Sequence, residues 1–289
     1  MANDRGGSPE KSESVIAMGA AKTFLLGVGA QKAGTTWLHE YVHRVPSTRG
    51  RRPKEFHVWN AIDAAGTGDA ATARADTWSR KDLLMTVFRK QPWLYFTYFS
   101  GLLSLPGTKL VTDITPTYSS LSAATFGRIR DGFAGRGVEV KVVFLMRDPV
   151  ERLWSAVRMA RRKRPDAAGR PDETEEIASY YATDHALIRG RYDRTVANLE
   201  SVFEPESVFF GFFESLFDHT TLERLSGFLD VPIDVEFADR QYNVSAKKAG
   251  DDLPTHLAAR IASDYREVYD FCGHRFPDSR NLWKGYALL

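Results

Sequence analysis

The residues best suited to chemistry lie together in Gly27-Val28-Gly29-Ala30-Gln31-Lys32-Ala33-Gly34-Thr35-Thr36. Gly29 and Gly34 bracket a stretch that contains Lys32, and two threonines follow. Glycines allow backbone N–H groups to approach a ligand closely. A helix start leaves its first N–H groups without intrahelical partners and carries the positive end of the dipole. An apolar run before this segment and a helical pattern after it therefore make an anion site, with an ammonium and hydroxyls at hand. Two basic runs add charge. One is Arg49, Arg51 and Arg52; the other is Arg158, Arg161, Arg162, Lys163 and Arg164. Both are read either as contacts for an anionic partner or as solvated faces.

The elements that must position this loop follow from local patterns. Residues 22–28 form a short apolar run bounded by glycines and read as a buried strand, and 35–42 as a helix. Further strands are expected at 109–112, at 138–146 and at 207–211. The run 138–146 leads straight into Arg147-Asp148-Pro149-Val150-Glu151. Asp148 suits an N-cap, Pro149 the first helical position, and Glu151 completes a capping box. That helix continues through 152–162. Residues 165–176 read as a polar surface loop, with helices at 193–202, 222–229 and 256–269. Strands alternating with helices predict an α/β fold: a P-loop-like parallel β-sheet flanked by helices on both faces.

Composition narrows the class. The chain has 289 residues, 43% of them hydrophobic, enough for a sizeable core. Lys+Arg 39 against Asp+Glu 37 leaves a formal charge of +2, which gives no argument for nucleic-acid binding. The single cysteine, Cys272, excludes an intrachain disulfide and reads as a small buried hydrophobe. No His/Cys/Asp/Glu group has metal-ligand spacing, so no metal is expected. Residues 1–20 offer nothing to bury and are expected to form a disordered tail, neither signal peptide nor anchor. Residues 21–289 are expected to form one domain. No run approaches the roughly 18 apolar residues of a membrane span, and a soluble, cytoplasmic protein is expected.

The loop approaches a Walker A pattern, but Thr35 stands where the nucleotide-triphosphatase lysine belongs, and Lys32 lies inside the loop instead. Gln31-Lys32-Ala33-Gly34-Thr35-Thr36-Trp37-Leu38 instead resembles the 5′-phosphosulfate loop of sulfotransferases that use 3′-phosphoadenosine-5′-phosphosulfate (PAPS). The resemblance spreads over most of residues 22–252 and implies the family's three-layer sandwich. It implies a PAPS site formed by Gln31, Lys32, Ala33, Gly34, Thr35 and Thr36, with adenosine 3′,5′-bisphosphate as the product. Trp37 either stacks on adenine, as in cytosolic relatives, or packs in the core. The family holds the 3′-phosphate with an arginine at a strand end and a serine two turns into the next helix. Arg147 and Ser155 match these, and across a helix start they can face one phosphate with a guanidinium fork and a hydroxyl. Lys247, Lys248 and Gly250 resemble the late basic loop that closes over the same phosphate, although Lys-Lys-Ala departs from the commoner Arg-Lys-Gly.

Pro53-Lys54-Glu55-Phe56-His57 resembles a segment of carbohydrate sulfotransferases in which the glutamate is the catalytic base. The resemblance implies Glu55 as base, Lys54 near donor and acceptor, Lys32 at the leaving oxygen, and His57 as the alternative base. Asp113-Ile114-Thr115-Pro116-Thr117-Tyr118 resembles the segment beside the acceptor cleft, with Thr112 in place of a glycine, and implies Asp113 and Tyr118 as acceptor contacts. The implied activity is transfer of a sulfuryl group to a hydroxyl of a small molecule or glycan. A P-loop kinase or nucleotide triphosphatase is the alternative, as is a relative that binds nucleotide without catalysis.

Overall fold

A computed structural model of the chain describes residues 22–67, 80–163, 171–232, 234–238 and 253–289. The expected tail, and the candidate residues Lys247, Lys248 and Gly250, lie outside the described residues.

Five strands form one sheet: β1 Thr23–Gly29, β2 Thr48–Arg49, β3 Leu110–Ile114, β4 Glu139–Met146 and β5 Val208–Phe212. Their order is β2-β3-β1-β4-β5, and every described pairing is parallel. All residues of β1 are buried, as expected of a central strand covered on both faces. Helices flank the sheet on both sides, giving a three-layer α/β/α sandwich. The chain adds β2 and β3 on one side of β1, then crosses over to place β4 and β5 on the other. The crevice of such a sheet opens at the carboxyl end of the strand where the order reverses. That strand is β1, and its C-terminal end is Gly29.

The helices relevant to this crevice are α1 Thr35–Val42, α2 Val58–Thr67, α3 Arg80–Lys90, α4 Pro92–Leu103, α5 Ala123–Ala134, α6 Pro149–Lys163, α7 Glu173–Tyr180, α8 Asp184–Ile188 and α9 Tyr192–Glu200. Two expectations change. The loop expected at 165–176 becomes helix from Glu173, because Asp172 and Glu175 form a capping box. The helix expected at 256–269 is two helices, Thr255–Asp264 and Arg266–Arg275, which meet at the buried Tyr265. No helix among the described residues is long and apolar enough to cross a membrane.

An aromatic cluster joins the sheet to the segment that carries Glu55. Phe24 of β1 stacks on Phe133 of α5 at 4.1 Å and meets Phe99 of α4 edge-on at 4.9 Å. Phe99 in turn meets Phe56 at 5.1 Å. Phe24, Phe56 and Phe99 are fully buried, so truncation leaves a cavity that the surrounding rings cannot fill. Phe99→Ala is expected to lower unfolding free energy by about 3–5 kcal/mol, the usual range for a large buried aromatic. Urea titration measures this; a loss under about 1 kcal/mol would place Phe99 outside the core that holds Phe56.

Candidate functional site

The loop after β1 turns through two left-handed residues, Lys32 (φ 71) and Gly34 (φ 89). At Gly34 a β-carbon would approach Leu216 to 2.5 Å, so the position is restricted by space as well as by backbone. The Ala33 N–H closes this turn on the Ala30 carbonyl at 3.2 Å, which leaves the N–H groups that follow Gly34 at the start of α1 to face a ligand. Gly34 is the N-cap of α1, and no side chain caps that helix. Gln31, Lys32, Gly34 and Thr36 are half-buried, while Ala33 and Thr35 are buried. Burial, and then the charges of Arg162, Arg147, Lys163 and Lys54, bring the Lys32 ammonium down to about 8. A cation held among cations in this way favours an arriving anion. Trp37 is buried, stacked on Tyr41 at 4.7 Å and edge-on to Phe217 at 5.5 Å.

Arg147 leaves the end of β4 and lies beside the same loop. Its guanidinium donates to the Lys32 carbonyl at 3.1 Å and to Glu151 at 3.4 Å, and stacks over Phe213 at 4.4 Å. Ser155 is half-buried on α6. Asp148 caps α6, accepting from the N–H groups of Val150 at 2.9 Å and Glu151 at 3.4 Å. The reciprocal half of the expected capping box comes from elsewhere. The Asp148 N–H donates to Glu214 at 3.0 Å, not to Glu151. Asp148 also accepts from the Tyr269 hydroxyl at 2.8 Å and the Gly285 N–H at 2.7 Å. Glu214 further accepts from the Trp283 indole at 3.2 Å, and burial pushes its carboxyl up to about 7. The C-terminal segment thus fixes the turn that presents Arg147.

Lys54, Glu55 and His57 form a connected set. The Lys54 ammonium donates to the Thr36 hydroxyl at 2.7 Å and lies 3.3 Å from one oxygen of Glu55. The other oxygen of Glu55 meets His57 Nε2 at 3.2 Å. His57 has φ 52, and its Nδ1 meets the Thr117 hydroxyl at 3.1 Å. Thr117 donates to Asn60 of α2 at 2.6 Å. Burial alone would raise the Glu55 carboxyl, but hydrogen bonds and charge from His57 and Lys54 outweigh it and hold it at about 2.

Asp113 and Tyr118 stand behind this set. Both are fully buried, and their polar atoms are engaged internally. Asp113 accepts from Thr115 at 2.6 Å, Tyr95 at 2.8 Å and Tyr118 at 3.0 Å. Thr115 accepts the Phe56 N–H at 3.0 Å, and Tyr118 the Val58 N–H at 3.2 Å. Burial lifts the Asp113 carboxyl to about 6 despite the donors around it.

Much of the basic runs is committed to internal contacts. Arg49 donates to backbone carbonyls and Arg51 pairs with Glu40. Arg158 and Arg161 pair with Glu173, and Arg161 also with Glu176, which docks α7 on α6. One cation that the sequence reading passed over joins the loop: Arg189, after α8, donates to the Gln31 side-chain oxygen at 3.1 Å. Neither a periodicity nor a recognised motif marks it. Glu214, Thr117 and Asn60 were likewise unmarked, because their partners lie far off in the chain. Among the described residues no group of three or more His, Cys, Asp and Glu could hold a metal ion.

Comparison with known proteins bears on the family and the fold. The family model described as the sulfotransferase domain matches residues 22–249. A solved sulfotransferase from Alicyclobacillus acidocaldarius is similar in fold, with a TM-score of 0.54 and 20% identity, covering 87% of this chain and 96% of that one. A sulfotransferase from Mycobacterium avium shows a TM-score of 0.44 and 16% identity, covering 87% of this chain and 77% of that one. No curated protein matches the sequence.

The depressed Glu55 carboxyl carries a signature in stability. Its contribution is complete above the ordinary value of 4.5 and is lost as pH falls through about 2. The difference in unfolding free energy between the wild-type chain and Glu55→Gln is expected to narrow across that window. Urea titrations at successive pH values measure it, and a difference that stays constant there would contradict the network drawn around Glu55.

Proposed function

The chain belongs to the sulfotransferase domain family, and from that premise we propose that it transfers a sulfuryl group from PAPS to an acceptor hydroxyl, of a carbohydrate or another alcohol. The observation that carries this reading is the position of Lys54. One ammonium touches both Thr36 of the anion loop and the Glu55 carboxylate. An anion site and a proton acceptor are thereby brought side by side through a single group, which suits in-line transfer to a hydroxyl.

The residues fit the donor. The uncapped start of α1, the left-handed turns at Lys32 and Gly34 and the surrounding cations suit a 5′-phosphosulfate. Gln31, Lys32, Ala33, Gly34, Thr35 and Thr36 would hold it. Arg147 and Ser155 would hold the 3′-phosphate, joined by Lys247, Lys248 and Gly250 from outside the described residues. Trp37 serves as core support beneath the loop, given its burial against Tyr41. Bound there, the donor supplies an activated sulfuryl group with a phosphate as leaving group.

Glu55 accepts the proton of the acceptor hydroxyl. In the resting protein its carboxyl is held at about 2, which makes it a weak base. Movement of Lys54 towards an anion on the loop removes one of the charges that hold it there and raises its basicity. Lys32 stabilises negative charge at the leaving oxygen. His57, tied between Glu55 and Thr117, orients the carboxylate. Asp113 and Tyr118 act as positioning residues through the backbone of Phe56 and Val58 and make no direct contact with the acceptor.

Glu55→Gln is expected to keep donor affinity and lose about 10²–10⁴-fold in turnover on an aliphatic alcohol, the usual share of general-base assistance. His57→Ala should lose less. Labelled PAPS with mass detection of the product ranks the two variants, and the reverse order would make His57 the base. Arg147→Ala and Ser155→Ala should weaken binding of adenosine 3′,5′-bisphosphate more than they slow turnover, because the 3′-phosphate is remote from the reacting sulfur. Calorimetry tests this; unchanged affinity in both variants would remove them from the donor site.

A further inference from the structure

Arg189 and Arg191 share one turn and differ in what they meet. Arg191 is neutralised: it donates to the Asp193 carboxylate at 2.6, 2.9 and 3.2 Å and lies 3.7 Å from Glu267. Arg189 is half-buried and donates to a neutral group, the side-chain oxygen of Gln31. No described carboxylate lies within ion-pair distance of Arg189, whereas Arg51, Arg158 and Arg161 each have one. The remaining donors of its fork are not sealed from solvent. A half-buried guanidinium without a counter-ion is unfavourable until an anion joins it.

The position is built, not incidental. Gly190 is buried, and a β-carbon there would lie 2.4 Å from the Tyr265 ring. The Tyr192 hydroxyl donates to the Arg147 carbonyl at 2.8 Å. These contacts clamp the turn on both sides and hold Arg189 against Gln31, next to Lys32. Burial holds the Arg189 pKa below its ordinary value, Tyr180 opposes this, and Arg152 adds to it. The carboxylate whose charge it senses is Glu55. Arg189 thus borders the loop through Gln31 and lies within electrostatic range of Glu55.

We propose that Arg189 selects the acceptor, binding a carboxylate or sulfate carried by the molecule whose hydroxyl Glu55 deprotonates. The inference rests on the sulfuryl-transfer reading above. A guanidinium fork matches such an oxyanion in a bidentate manner that an ammonium cannot reproduce. The acceptor is then an acidic hydroxyl compound, such as a uronic acid or a hydroxy acid, in preference to a neutral alcohol.

The test uses the full chain, PAPS and acceptor pairs that differ in one group: phenyl glucuronide against phenyl glucoside, and mandelate against methyl mandelate. The wild-type protein is expected to favour the acidic member by about ten- to a hundredfold in kcat/KM, the range for a hydrogen-bonded charge, and to do so through KM. Arg189→Gln should bring that ratio near unity, and Arg189→Lys should retain part of it. Affinity for adenosine 3′,5′-bisphosphate should match wild type in both variants, which also reports that they fold. If only Arg189→Lys folds, a partial fall in its ratio supports the assignment and an unchanged ratio overturns it. Equal preference in wild type and Arg189→Gln overturns the assignment, and a large loss of bisphosphate affinity moves Arg189 to the donor side. Absence of transfer to every member by the wild-type protein overturns both readings, whereas transfer with no Arg189-dependent preference overturns this one alone.

Discussion

The carboxylate of Asp113 is the constraint on which the site depends. It is wholly removed from water, at the end of β3, and three hydroxyls donate to it. Two of those hydroxyls, of Thr115 and Tyr118, also accept, and what they accept is backbone from the segment that carries Glu55. A buried carboxylate with fewer donors would be strongly unfavourable. Satisfying it therefore fixes the path of residues 56–58, and with it the direction of Glu55 and His57. The aromatic cluster around Phe56 and Phe99 supports the same segment from below. Side-chain precision at the surface of this cleft is thus inherited from polar order in the interior.

Parallel topology supplies the other half. β1, β3 and β4 end at one edge of the sheet, so the loops that follow them are neighbours without any special sequence. The loop of Lys32 follows β1, the segment from Thr115 to Tyr118 follows β3, and Arg147 follows β4. Charge accumulates there because several cations converge while Glu55 and Glu151 are the nearby carboxylates paired with them. Burial first, and then this charge, lowers the Lys32 ammonium.

What the sequence disclosed, and what it did not, divides by range. The strand, loop and helix around Gly29 and Gly34 were legible because a phosphate loop is a local device: its residues act on their own backbone. Asp148 as a cap was legible for the same reason. The capping box at Asp172 and Glu175 was equally local, and the prolines nearby obscured it. The helices between 58 and 103 were missed, since exposed apolar residues such as Leu83, Val87 and Trp93 blur the one-sided pattern of the buried face. Asp113 and Tyr118 were expected towards the acceptor, but a motif records which residues recur together and not which way they point. Arg189, Glu214 and Thr117 were invisible because each acquires its meaning from a partner distant along the chain.

The hydrogen bond from Arg147 to the Lys32 carbonyl has a consequence for affinity. A peptide unit has two ends: Arg147 tethers the carbonyl of Lys32 while the N–H of Ala33, on the same unit, donates to the Ala30 carbonyl at 3.2 Å, so the unit is held from both sides. The turn that holds Arg147 also passes through Tyr192 to Arg189, and so back to Gln31. The Gln31–Lys32 turn and the turns that carry Arg147 and Arg189 are therefore parts of one closed ring of contacts. On the proposed reading, a donor with charge at both ends engages Arg147 at the effective concentration set by the Gln31–Lys32 turn. Each half of such a ligand, offered alone, forfeits that chelate advantage, so recognition is a property of the span between two charges as much as of either charge.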